Sequence, residues 1–140
     1  MDKLEQAWQI AKTADVSTPE NSVVLYSISY LPTDENKQKA FAYIAKHSPS
    51  YMLDDTPCGK LLLELGLETE RSNPDKVLMQ IWAEASRRFI LAASGNVTAF
   101  VQNADKRSTF VAVELPLILQ NGKIKSINGI NKFKFAEQFA

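Results

Sequence analysis

Ile81-Trp82-Ala83-Glu84-Ala85-Ser86-Arg87-Arg88-Phe89 continues into Ala92-Ala93-Ser94-Gly95-Asn96-Val97-Thr98, and along this stretch the texture changes from helical to extended. Leu78, Trp82, Ala85, Phe89 and Ala92 recur at steps of three and four, which places them on one side of a helix predicted over residues 75–93. Asn73-Pro74-Asp75 opens that helix, with Pro74 suited to a first turn, and Gly95 closes it. Beyond Gly95 the residues turn β-like. Strands are expected at Val97–Val101, Ser108–Val113 and Ile124–Ile127, separated by polar turns such as Gln120-Asn121-Gly122-Lys123.

Working outward, Leu4, Trp8 and Ala11 give helical spacing over residues 2–14, with Asp2 as N-cap. Ser17-Thr18-Pro19-Glu20-Asn21 reads as a turn and Ser22–Tyr30 as a strand. Thr33 or Asp34 caps a helix over residues 35–47 whose core stripe is Ala40, Phe41, Ile44 and Ala45. A further helix starts near Pro57 and stops at Gly66, and Glu68–Asn73 is loop-like. Helices lead and strands follow. The fold class is therefore α/β or α+β, an N-terminal helical part packed on a small C-terminal β-sheet layer, in one domain over residues 1–140.

Composition narrows the function classes. The 140 residues are 45% hydrophobic and carry 16 basic and 16 acidic side chains, so the chain is expected to fold and to bind neither nucleic acid nor anionic membrane through bulk charge. No apolar run approaches a membrane span, and the Met1–Glu5 start does not look like a signal peptide. The neutrality hides a split. Residues 1–70 hold 6 Lys against 11 acidic residues, and residues 71–140 hold 10 basic against 5 acidic. A ligand with phosphates at one end would suit such a chain.

Ready-made motifs are missing. The five glycines begin no phosphate-loop pattern, and one histidine poorly supplies a metal cluster or a Ser-His-Asp arrangement. The lone Cys58 excludes an internal disulfide and a four-cysteine zinc site. Cys58 reads as a small helix-start residue and His47 as a solvated one, so no metal is expected.

Four segments, taken in order, say more. They are Val23-Val24-Leu25-Tyr26-Ser27, Tyr51–Gly59 with its Asp54-Asp55-Thr56-Pro57, Ile81–Thr98, and Ser108-Thr109-Phe110-Val111-Ala112-Val113-Glu114-Leu115-Pro116. Together they resemble the ADP-ribosyl cyclase/NAD glycohydrolase family, including its compact bacterial toxin-type members. That family shows a strand ending in Trp-Ser, then Thr-Leu-Glu-x-Thr-x-x-Gly, then a helix with Trp-x-x-x-Ser-x-x-Phe-Ala leading to Ala-x-Gly-x-Val. A Ser-x-Phe-x-x-x-Glu strand follows. The similarity spans roughly residues 22–128, and its specific part runs from Trp82 to Pro116.

The resemblance implies cleavage of the nicotinamide–ribose bond of NAD as substrate, with no separate cofactor. It places the catalytic carboxylate on Glu114 and substrate contacts on Trp82, Ser86, Thr109 and Phe110. Asp54 and Tyr26 stand where the family has Glu and Trp, at the nicotinamide end. The implied setting is a monomeric NAD-depleting toxin domain acting in a cytoplasm, with a cognate immunity protein as partner. A cyclase, or an inactive nucleotide-binding or protein-interaction module on the same scaffold, are the alternatives.

The chemistry suits these residues. Nicotinamide leaves NAD as a neutral ring, so no general acid is needed, and one carboxylate stabilises the oxocarbenium-like state. In an extended segment Phe110, Ala112 and Glu114 share a face, which presents Glu114 at a strand end. Trp82 and Ser86 are four apart, hence neighbours on a helix, although an indole on such a stripe also reads as core. Arg87 or Arg88 would neutralise pyrophosphate and the other would be a solvated helix residue. Asp54 and Asp55 would face the cationic ring, while Asp55 equally suits a helix cap.

Overall fold

The computed structural model describes residues 2–66 and 76–140. The expected opening of the long helix at Asn73-Pro74-Asp75 and the loop Glu68–Asn73 lie outside the described residues. The elements in chain order are α1 (Lys3–Thr13), β1 (Val24–Tyr26), α2 (Glu35–Lys46), a 3-10 turn (Leu53–Asp55), α3 (Pro57–Glu64) and α4 (Lys76–Ala92). Then come β2 (Gly95–Phe100), a π-helical turn (Phe110–Glu114), α5 (Leu115–Gln120), β3 (Ile124–Ile127), β4 (Ile130–Asn131) and α6 (Lys132–Ala136).

The strands form one sheet in the order β1-β2-β3-β4, with the first two pairings parallel and the last antiparallel. Helices supply the crossovers that parallel neighbours require. Alternation along β1 divides the interior. Val23 and Leu25 join the main core with Phe89, Ile90, Ile81, Val97 and Ile124, while Val24 meets Ala40 and Met52 on the other side. A fully buried side chain such as Phe89 or Ile90 contributes roughly 2–3 kcal/mol.

Helix starts follow local chemistry. Asp2 caps α1 by accepting from Glu5 N at 2.9 Å, and Thr56 caps α3 by accepting from Gly59 N at 3.1 Å. Gly59 matters for position. A Cβ there would collide with the Leu53 carbonyl and stand 2.7 Å from Asp54 Cα, so only glycine lets the 3-10 turn lie against α3. Gly95 has φ +78°, and a side chain on it would strike the amide of Asn21, whose oxygen already accepts from Asn96 N at 2.7 Å. It therefore opens β2 rather than simply ending α4.

Several expectations need correction. Leu4 is exposed, and α1 buries Ala7 beside the expected Ala11, with Trp8 half-buried against the core. In α2 the inward residues are Asn36 and Ala40, with Tyr43 and Ile44 packed beside them, while Phe41 and Ala45 are exposed. The Asp34 side chain does not cap α2; Thr33 Oγ1 accepts from Glu35 N at 3.2 Å. The regular strand within Ser22–Tyr30 is only Val24–Tyr26, with bridges at Val23 and Ser29.

The largest correction concerns Ser108–Val113, which is no strand. Residues Phe110–Glu114 form a π turn that runs directly into α5. Pro116 supplies a reason. It has no N–H, and its ring crowds the carbonyl four residues back, a clash that a widened i→i+5 turn relieves. The burial of Phe110, Glu114, Leu115 and Ile118 follows helical steps, not alternation.

Candidate active site

A cavity of about 300 Å³ opens beside the carboxyl end of β1, where open parallel sheets place their ligands. Its walls come from β1 and its extension (Val24, Leu25, Tyr26, Ile28), the 3-10 turn (Met52, Leu53, Asp54), mid-α4 (Ser86), and the π turn with the residue before it (Thr109, Phe110, Glu114). Six residues singled out in the sequence therefore meet at one place: Tyr26, Asp54, Ser86, Thr109, Phe110 and Glu114.

Glu114 is buried, and Ser86 Oγ donates to its Oε2 at 2.8 Å. Burial pushes the carboxyl up from 4.5 to about 7, against the Ser86 hydrogen bond, which favours the ionised form. Phe110 is fully buried one turn before Glu114 and fixes that face of the turn in the core. Two more hydroxyls lock the turn to β1. Ser27 Oγ and Ser108 Oγ are 2.9 Å apart, and Val111 N donates to Ser108 Oγ at 3.2 Å. Asn36 of α2 holds the strand ends from the other side, donating to Ser27 O at 3.1 Å and Gln102 O at 2.8 Å.

Tyr26 marks the electrostatic character of the cavity. Its hydroxyl is pushed up to about 12, first by burial and then by the negative charges of Asp54, Glu114 and Asp34. Asp54 is exposed at the rim. Its neighbour Asp55 serves the backbone, accepting from Met52 N at 2.9 Å, while Thr56 is the residue that caps α3. Among the described residues, the cavity walls carry two carboxylates and no basic side chain.

Two predicted site residues sit elsewhere. Trp82 is half-buried and packed against the main core, and it does not line the cavity. Arg87 forks onto Glu84, with nitrogens 2.7 and 3.1 Å from the two carboxylate oxygens, on the exposed side of α4. Arg88, which the sequence left as a second phosphate contact or a solvated residue, donates to Ala11 O and Ala14 O at 2.8 Å each and so satisfies carbonyls at the end of α1. Ile28, Met52 and Leu53 line the cavity without having been singled out as site residues. Their apolar type offered no chemical signal, and only the meeting of β1 with the 3-10 turn places them.

With this geometry in view, the solved structures give context. The chain resembles Aplysia cyclase complexed with the substrate NGD and product cGDPR (21% identity, TM-score 0.58), covering 79% of this chain and 49% of that one. It also resembles an ADP-ribosyl cyclase complexed with N1-cIDPR (18% identity, TM-score 0.58, 88% and 62% covered). Porcine CD38 carrying a covalent ribo-F-ribose-5'-phosphate intermediate is similar as well (18% identity, TM-score 0.59, 98% and 78% covered). The fold is ADP-ribosyl cyclase-like. The chain spans about half the length of the Aplysia enzyme. No family model matches the sequence, and no curated protein does.

The described residues include no group of three or more potential metal ligands, and none of the helices among them is long and apolar enough to cross a membrane. What the cavity can do chemically follows from its parts. A buried carboxylate, oriented by a hydroxyl and flanked by a second carboxylate at the rim, suits a ligand that is cationic or becomes so in its transition state.

Proposed function

We propose that this chain hydrolyses the nicotinamide–ribose bond of NAD, releasing nicotinamide and ADP-ribose. The observation that carries the reading is the buried Ser86–Glu114 pair at 2.8 Å, set in the wall of the cavity at the end of β1. The pyridinium of the substrate is a cation, and its arrival beside Glu114 favours the ionised form of that carboxyl. As the glycosidic bond lengthens, positive charge moves onto the ribose, and the buried Glu114 carboxylate stabilises it. Ser86 holds that carboxylate in place, so little reorganisation is needed at the moment of reaction. Tyr26 supplies an aromatic wall for the leaving ring, and Thr109 offers a hydroxyl toward the sugar–phosphate side.

The finer reading, an NAD-depleting toxin domain acting in a cytoplasm and met by an immunity protein, extends this proposal. It rests on the sequence resemblance alone.

The test is to incubate purified protein with NAD and separate the products. Release of nicotinamide and ADP-ribose by the wild type, with loss of at least roughly 100-fold in Glu114→Gln, is the expected result. Release that survives intact in Glu114→Gln removes Glu114 from the chemistry. Cyclic ADP-ribose as main product makes the chain a cyclase. Folded protein that releases nothing is a binding module.

A further inference from the structure

The displacement of Arg87 and Arg88 from the cavity leaves open which group of this chain meets the phosphates of the substrate proposed above, and the following inference rests on that reading. Of the three described arginines, Arg87 is closed onto Glu84 through two hydrogen bonds and Arg88 is spent on the Ala11 and Ala14 carbonyls. Arg107 is different. Its side chain is 92% exposed, and its Nε lies a long 3.5 Å from Asp105 Oδ1.

The backbone of Arg107 is nevertheless fixed by its turn. Arg107 N donates to Asp105 Oδ1 at 2.8 Å, Ser108 N donates to Asp105 O at 2.9 Å, and Asp105 N donates to Ile28 O at 3.0 Å. Ile28 lines one wall of the cavity and Thr109 another. Two residues of chain span at most about 7 Å, so Arg107 lies within one side-chain length of the Thr109 wall. Lys106, also exposed, is beside it in the same turn. A cavity whose described walls carry two carboxylates and no basic side chain thus has two exposed cations close by, on a turn tied to two of its walls.

We propose that Arg107, assisted by Lys106, is the specificity-determining cation that anchors the substrate pyrophosphate at the rim. A guanidinium offers a planar fork matched to phosphate oxygens, and its exposure leaves it able to swing onto a ligand. The cavity then takes the cationic nucleoside half, while the rim takes the anionic half.

The test compares NAD with nicotinamide riboside, which has the same scissile bond and no phosphate, in full-length wild type, Arg107→Ala, Arg107→Glu and Arg107→Lys. For Arg107→Ala the KM for NAD is expected to rise roughly tenfold, as for loss of a hydrogen bond to a charged group, with kcat retained. Arg107→Glu raises it further and Arg107→Lys restores part of the loss, while the KM for nicotinamide riboside stays put in all three. Added salt is expected to raise the wild-type KM for NAD and not that for the riboside. An unchanged KM for NAD in Arg107→Ala and Arg107→Glu, or equal losses on both substrates, overturns the anchor while leaving the hydrolase reading intact. Wild-type protein that cleaves neither substrate overturns both.

Discussion

Two buried polar centres in this protein are built in opposite ways. Asn121, at the end of α5, has its side-chain amide fully engaged: Nδ2 donates to Ile90 O, Leu91 O and Ala93 O at 2.9, 3.3 and 3.0 Å, and Oδ1 accepts from Lys123 N at 2.9 Å. Its own carbonyl accepts from the buried Lys132 Nζ at 2.8 Å. Glu114 is likewise buried, but its charge is met by one side-chain hydrogen bond, from Ser86, and no cation lies among the described cavity walls. The first arrangement engages both ends of the Asn121 amide and joins α4 to β3. The second leaves a carboxylate under-solvated, which weakens the fold and prepares a site.

The widest separation of the two centres comes from Glu114→Gln. It is expected to lower kcat by at least roughly 100-fold while circular dichroism shows an unchanged fold. The same substitution is expected to stabilise the protein. Folding raises the Glu114 carboxyl from 4.5 to about 7, so between these values the folded protein holds a proton that the unfolded chain has released. Wild-type stability therefore falls as pH rises through that window. Glu114→Gln has no such loss, and its advantage over wild type grows to on the order of 3 kcal/mol above about pH 8. Denaturant titrations of both proteins at about pH 4 and pH 8 check this. An advantage that is flat across pH would mean that Glu114 is not held protonated by burial.

Asn121→Ala should do the reverse, costing about 2 kcal/mol because it strands the carbonyls at the end of α4, with kcat per folded molecule unchanged. The smallest expected effect sharpens the site itself. Wild-type kcat/KM is expected to fall on the acid side with an apparent pKa of about 7, the value of Glu114 in the free protein. Ser86→Ala removes the hydrogen bond that favours the carboxylate, so this limb moves to higher pH, by roughly 1 unit. A limb that does not move would show that Ser86 has no hold on the ionisation of Glu114.

Parts of this contrast are legible in the chain. Long helical periodicity placed α4, and Asp2 and Pro57 marked true helix starts, because capping and periodicity are decided within a few residues. The cap ahead of Pro57 is Thr56 rather than Asp55. Six of the eight candidate site residues stand around one cavity. Trp82 and Arg87 do not, although both lie within one turn of Ser86. Spacing fixes which residues neighbour each other on a helix, but the rotation of α4 is set by Ile81, Ala85 and Phe89 entering the core, and that turns Arg87 outward. The segment Ser108–Val113 misled for a related reason. Its β-branched and aromatic residues favour strands in isolation, while Phe110, Glu114, Leu115 and Ile118 bury themselves only as a helix.

The sequence by itself determined the order of α1, β1, α2, α3, α4, β2 and β3, the presence of enough apolar residues to build a core, and the set of polar residues from which a site could be made. Local propensity and periodicity suffice for these, since they involve neighbours along the chain. Only the tertiary structure decided that Ser86 and Glu114, 28 residues apart, share a hydrogen bond beneath a cavity wall. It also decided that, of the three described arginines, Arg87 and Arg88 are spent on the scaffold while Arg107 stays exposed. Burial and pairing of charge depend on what distant elements bring alongside, and no local pattern carries that information.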